Sequence, residues 1–299
     1  EKDAAIMITD DKSREELVGR MLELVKNEEQ LNSLRTNITS FACPAAAEQI
    51  AIEVFKTIGI TDPAILSNRK STKPEPKKAK KKQSNKRYFF LGIGGIGMSA
   101  IARYFHRQGH LVAGYDLTKT PLTEKLEEEG INIHYKDNIS LVPVKFMDRD
   151  NTVVIYTPAV PDDMSEKVFF KEGNFTMLKR SEILGELTDG KKALCVAGTH
   201  GKTTTSTMLS HILNQRAEKV NAFLGGISKN YESNLIVSSS DHVVVEADEY
   251  DRSFLRLKPN MAIVTATDAD HLDIYGTKEE LLRTFAEFTS LIEENGVLV

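Results

Sequence analysis

The chain has 299 residues, 40% of them hydrophobic, and its 43 acidic and 39 basic side chains leave a formal net charge of -4. That length exceeds one ordinary core and points to about two compact units, and the slightly acidic balance excludes nucleic acid as the main partner. No apolar run approaches the roughly 18 residues a membrane span needs, no signal-peptide core opens the chain, and two distant cysteines, Cys43 and Cys195, fit a reducing cytoplasm, Cys195 as a small buried side chain.

Ala4 to Ile8 reads as a short strand, and Ser13 with Glu16 forms a capping-box pattern opening a helix with Leu17, Met21, Leu24 and Val25 on one face. Pro44 starts a second amphipathic segment carrying Ile50, Val54 and Ile58, which Gly59 and Pro63 close. Residues 1–66 are thus expected to be a small strand-helix-helix piece. From 67 to 87 the chain is rich in Lys, Pro and Ser and has no large apolar residue, the composition of a flexible linker. Its Lys77–Lys82 run is either a solvated stretch or a patch for polyanions.

Beyond the linker, Tyr88–Leu91, Leu111–Tyr115, Val153–Tyr156, Ala193–Ala197, Val243–Glu246 and Ala262–Thr265 read as buried strands alternating with helices. The fold class is therefore α/β with parallel sheets. A long helical region ending near Arg180–Leu187 is expected between the third and fourth of these strands. It places a boundary near Asp189, with one domain over 88–189 and a second over 190–299. The chain opens on Glu1 and stops at Gly296-Val297-Leu298-Val299, which reads as a strand just beginning, so a fragment with an incomplete second domain is expected.

Two glycine-rich loops carry the chemistry. Gly92-Ile93-Gly94-Gly95-Ile96-Gly97 follows a strand and opens an apolar helix, and Asp116 ends the next strand. Glycines let backbone approach a diphosphate, the helix start offers free N–H donors, and an acid on the second strand can take a ribose hydroxyl. That chemistry suits NAD and equally any nucleoside diphosphate. Thr157-Pro158-Ala159-Val160, after another strand, either lines the same crevice or is a simple turn. The second loop, Gly198-Thr199-His200-Gly201-Lys202-Thr203-Thr204, joins a strand to the helix Ser206–Leu213 as an ATP-type phosphate loop. Its amides form an anion nest, Lys202 reaches the β- and γ-phosphates, and the Thr203 hydroxyl suits Mg²⁺. Val196 stands where the general pattern has its first glycine, so this loop is tighter. Of the acids Glu246, Asp248, Glu249 and Asp251 after the next predicted strand, Glu246 is the candidate metal ligand, with a solvated acidic turn as the alternative. His271, among Asp268, Asp270 and Asp273 after a third strand, is either a second metal ligand or a surface histidine.

Taken together, the phosphate loop, Glu246-Ala247-Asp248-Glu249 with Ser253-Phe254-Leu255, Asp270-His271-Leu272-Asp273 and Gly92–Gly97 with Met98-Ser99-Ala100 resemble the Mur ligases of peptidoglycan synthesis from about Tyr88 onward. The resemblance implies a Rossmann-like domain binding UDP-N-acetylmuramate through Gly92, Gly94, Gly95, Gly97, Asp116 and Thr157, and a central ATPase domain. A third domain would lie outside this chain. It further implies that L-alanine is joined to the sugar carboxylate through an acyl phosphate, with ATP and Mg²⁺ required, Lys202, Glu246 and His271 catalytic, and Thr203, Glu246 and His271 on metal. Ala266 departs from the asparagine common in the family. Residues 1–66 are similar to the carboxyl-terminal end of the UDP-N-acetylglucosamine transferase of the same pathway, which implies an association with that activity. An NAD-dependent dehydrogenase and a non-catalytic nucleotide-binding module are the competing readings.

Overall fold

The structure, a computed structural model, describes residue 23 and residues 27–39, 86–215, 219–269 and 272–299. The chain divides into two units, Glu1–Asp62 and Pro63–Val299. In the first, helix α1 (Glu28–Thr39) is described; its amino end is capped by Asn27, whose Oδ1 accepts from the Gln30 amide at 3.0 Å. This helix falls between the two expected from sequence. The strand at 4–8, nearly all of the helix after Ser13 and the segment after Pro44 lie outside the described residues.

The second unit holds two sheets. Strands β1 (Arg87–Leu91), β2 (Leu111–Tyr115), β3 (Asn132–His134), β4 (Thr152–Tyr156) and β5 (Thr176–Lys179) form an all-parallel sheet in the order β3-β2-β1-β4-β5. Phe89 and Phe90, on opposite faces of central β1, are fully buried, which is why this strand reads as an unbroken apolar run. Arg87, expected to end the linker, is the first residue of β1, where its guanidinium donates to Asp148 at 3.2 Å. Helices α2 (Ile96–Arg107), α3 (Pro121–Glu128) and α4 (Ser165–Glu172) make the crossovers. Asp137 caps α4 from outside, accepting from the Ser165 and Glu166 amides at 2.8 and 3.0 Å.

The region expected to be one long helix is instead α4, strand β5 and helix α5 (Arg180–Thr188). Gly173 ends α4 and Asn174 turns at φ 54°. As an edge strand with partly exposed residues, β5 has no apolar run for sequence reading to find.

The second sheet contains β6 (Lys192–Ala197), β7 (Asn221–Ser228), β8 (Ser233–Ile236), β9 (His242–Glu246), β10 (Met261–Val264) and β11 (Val297–Leu298), in the order β11-β10-β6-β9-β7-β8. β7 and β8 form an antiparallel hairpin and the other pairings are parallel. Helix α6 (Lys202–Asn214) follows β6, and α7 (Leu272–Tyr275) and α8 (Lys278–Ser290) precede β11. The sheet order puts β9 and β10 on either side of β6, so loops distant in sequence meet at one end of the sheet. A buried polar bridge joins the two sheets. Arg103 on α2, fully buried, pairs with Glu129 at 2.9 Å and donates to Asn234 Oδ1 on β8 at 2.6 Å. Asn234 in turn donates to the Ile96 carbonyl and to Ser99 Oγ, in the first turn of α2.

Candidate active site: two glycine loops on one crevice

The first loop lies at the carboxyl ends of β1 and β4, where the strand order of the sheet reverses direction. Gly92 adopts φ +83°, and a Cβ there would stand 2.9 Å from the Thr157 methyl, so only glycine fits. No side chain caps α2 at Gly95, which leaves its first-turn N–H groups to a ligand. Asp116 braces the loop: Oδ2 accepts from the Gly94 amide at 2.7 Å and Oδ1 from Thr118 at 3.1 Å. A cavity of about 920 Å³ opens here, lined among others by Gly92, Gly95, Gly97, Asp116 and Thr157. Gly94, whose amide is turned to Asp116, does not line it.

The phosphate loop joins β6 to α6. Gly198 and Gly201 take φ +127° and +79°, and at Gly198 a Cβ would run into Thr265 Oγ1 and into the Ala266 backbone N and O at 2.8 and 2.9 Å. The segment after β10 is laced to the loop: Thr199 N donates to Ala266 O at 2.9 Å, the Asp268 amide to Thr199 Oγ1 at 3.1 Å, and Thr265 Oγ1 to the carbonyls of Ala197 and His200. Lys202 Nζ donates to Gly198 O at 2.7 Å and pairs with Glu249 at 2.8 Å. Helix α6 runs from Lys202 to Asn214, longer than the predicted Ser206–Leu213.

Glu246, at the end of β9, accepts from Thr203 Oγ1 at 2.9 Å and from the Gly225 amide at 2.9 Å. Glycine at 225 gives that carboxylate its place, because a Cβ there would force the Glu246 side chain to shift. Thr203 and Glu246 thus present hard oxygen donors side by side, the set a Mg²⁺ ion shares with nucleotide phosphates. Among the described residues no group of three or more His, Cys, Asp or Glu is placed to hold a metal by itself, so phosphate oxygens and water would have to complete the shell. His271 lies outside the described residues.

The other three acids occupy different settings around this centre. Glu249 is fully buried against Lys202. Asp248 is half-buried and pairs with Arg180 at 3.3 Å, whereas Asp251, with φ 55°, is exposed. Tyr275 donates its hydroxyl to the Glu249 carbonyl, and burial first, then the Glu249 charge, pushes its pKa up to about 12. Burial and the nearby Asp137, Glu166 and Asp116 carboxylates also raise that of Tyr115. Cys195 is buried in β6 as expected, and desolvation pushes its thiol up to about 12.

A second cavity of about 180 Å³ lies between α2 and the phosphate loop, lined by Lys202, Glu246 and Gly225 among others. Ile96, Gly97, Arg180 and Asp248 line both cavities, so the two loops open on one crevice. Sequence reading missed Arg180. Its signal was a cation directly following a strand, hidden because β5 was read as helix.

The fold and site define a two-sheet α/β nucleotide-binding protein in which a glycine-loop cavity abuts a phosphate loop. Residues 87–192 match the catalytic domain of the Mur ligase family and residues 196–299 match the Mur ligase middle domain. From residue 87 onward the chain belongs to the Mur ligase family. Relatives named UDP-N-acetylmuramate--L-alanine ligase include those of Porphyromonas gingivalis, 58% identical over 215 residues that are 72% of this chain and 47% of the relative, and of Christiangramia forsetii, 54% identical over 71% of this chain and 47% of the relative. The chain therefore spans about half the length of the curated relatives it matches. A solved UDP-N-acetylmuramate-alanine ligase from Thermotoga maritima superposes with a TM-score of 0.62 at 32% identity, covering 71% of this chain and 48% of that one. A Neisseria ligase at 24% identity, covering 71% of this chain and 70% of that one, shares the fold with a TM-score of 0.65. Nothing in these comparisons favours a dehydrogenase. Residues 1–66 precede both family matches, and nothing in these comparisons supports a likeness to a glycosyltransferase there.

Proposed function

We propose that the protein is an ATP-dependent ligase of peptidoglycan precursor synthesis, joining L-alanine to UDP-N-acetylmuramate in the cytoplasm. Residues 88–189 would form its UDP-sugar domain and 190–299 its ATP domain. The observation that carries this reading is the shared wall of the two cavities, which sets a nucleotide-diphosphate loop directly beside a phosphate loop. Relatives of the same name support the choice of substrates.

The diphosphate of the UDP-sugar sits at the first turn of α2, and the lactyl carboxylate extends toward Lys202. A carboxylate oxygen attacks the γ-phosphorus of ATP, the bond to the ADP oxygen breaks, and ADP leaves. The L-alanine amine then attacks the acyl carbon, loses a proton, and phosphate departs with the C–O bond electrons. Most of the catalysis is positioning and charge stabilisation. The amides of Gly198–Thr204 and the Lys202 ammonium hold the transferring phosphoryl group, and Lys202 is itself aimed by Gly198 O and Glu249. Mg²⁺ held by Thr203 and Glu246 would supply positive charge to the phosphate oxygens. His271 would be a ligand of a second metal ion.

The test is ADP release that requires both UDP-N-acetylmuramate and L-alanine, measured with the wild type and Lys202→Ala. Loss of ADP release in the variant is expected. Near-normal release would overturn the assignment, and wild-type release indifferent to the UDP-sugar would overturn the ligase reading.

A further inference from the structure

The larger cavity has an unusual balance of charge. Asp116, Asp137, Asp163, Asp248 and Asp251 line it, and Arg180 is the one cationic side chain that does so among the described residues. Among the charged side chains of this cavity an entering anion meets five that repel it and one place that attracts it. That place is the junction, because Arg180 also lines the smaller cavity together with Lys202 and Glu246.

The guanidinium is held there by fit and by charge. It begins α5 directly after β5, packs against Gly97 so closely that a Cβ would stand 2.7 Å from Nη1, and donates from Nη2 to Asp248 at 3.3 Å. Its side chain is 26% exposed. One of five N–H donors is engaged by Asp248, which leaves the planar fork able to take a carboxylate through two parallel bonds. The first-turn amides of α2 already suit the diphosphate, so the anion still in need of a cation is the one that reaches the junction.

We propose that Arg180 is the carboxylate-binding residue of the crevice, holding the substrate's free carboxylate at the junction for transfer of the phosphoryl group, with Asp248 fixing the guanidinium. This rests on the ligase reading above and adds to it a specificity residue: Arg180 separates a UDP-sugar that bears a carboxylate from one that does not. It also orders the charges of the crevice, with Lys202 on the phosphate side and Arg180 on the carboxylate side.

Calorimetric titration of the protein with UDP-N-acetylmuramate and with UDP-N-acetylglucosamine, which has the same diphosphate and no lactyl carboxylate, tests it. Wild type should prefer the carboxylate ligand. Arg180→Met should weaken UDP-N-acetylmuramate by about tenfold to a hundredfold, the worth of a charged hydrogen-bonded pair, and leave UDP-N-acetylglucosamine within about twofold. Arg180→Lys, which keeps the charge without the fork, should fall between, and it carries the same comparison if the methionine variant does not fold. Equal weakening of both ligands would assign the guanidinium to the diphosphate and overturn the proposal, as would no change in either. These two results leave the ligase reading standing, whereas a wild type that binds neither UDP-sugar overturns both.

Discussion

Gly198→Ala is the most direct test of the phosphate-loop geometry, because two penalties at that position can be separated. The backbone at φ +127° is foreign to an L-side chain, and the added Cβ would meet Thr265 Oγ1 and the Ala266 backbone at 2.8 and 2.9 Å. Backbone strain of this kind costs about 1–3 kcal/mol, and overpacking against atoms that cannot rotate away adds about 1–3 kcal/mol. The sum, about 2–6 kcal/mol, lowers the midpoint of thermal unfolding by roughly 5–20 °C for a folded body of this size. Gly190→Ala is the control. Its φ is +65° with nothing within 4 Å of the new Cβ, so it carries strain alone. Thr265→Ala in the Gly198→Ala background removes the nearest obstacle and leaves the Ala266 backbone in place, so it should restore only part of the loss. Scanning calorimetry of the four proteins, with ATP titration of each, gives the answer. A Gly198→Ala protein as stable as Gly190→Ala, with unchanged ATP affinity, would refute the packing argument.

Three further outcomes are expected. Glu246→Ala removes the acceptor of both Thr203 and Gly225, so the Mg²⁺ concentration for half-maximal nucleotide binding should rise at least about tenfold; an unchanged requirement argues against a ligand role. Asn234→Leu strips a buried partner from Arg103 and should cost about 2–4 kcal/mol by chemical denaturation. Adding Arg103→Met should recover part of that loss, and strict additivity of the two changes would count against the bridge. Burial pushes the Cys195 thiol up to about 12 in the folded protein, from an ordinary value of 9.0. Its contribution is therefore complete below pH 9 and lost as pH rises toward 12. By pH 10.5 wild type should have lost about 2 kcal/mol of stability relative to Cys195→Ala, read from urea midpoints; parallel alkaline limbs would contradict the burial.

The strands that carry the glycine loops were legible because they are buried on both faces: Phe89 with Phe90, and Leu194 with Cys195, leave no polar alternation to confuse the reading. What was lost lies at sheet edges and in space. β3 and β5 are short edge strands, and Gly225-Gly226 disguises β7 as loop although Gly225 is there to admit Glu246. Glu246 reads from sequence as the end of the next strand, but it follows β7 and β8 in the chain and is next to β6 only in the sheet. Of the candidate residues, Thr203 and Glu246 lie within hydrogen-bond reach, and Asp116 is engaged in bracing its own loop. Arg180 could not be weighed until β5 and Asp248 were seen beside it, since its meaning comes from residues 68 apart.

The bridge between Arg103 and Asn234 spans 131 residues of sequence, and it bears on how the protein assembles. Every strand of the first sheet is synthesised before β8. Asn234 of that hairpin supplies the partner that leaves the guanidinium of Arg103 fully buried, with Glu129 on its other flank. Its dehydration is completed by a strand of the other sheet, so neither sheet reaches its final buried state alone. The two nucleotide-binding halves should accordingly melt in a single transition, and a substitution that loosens either one will be felt in the affinity of the other for its ligand.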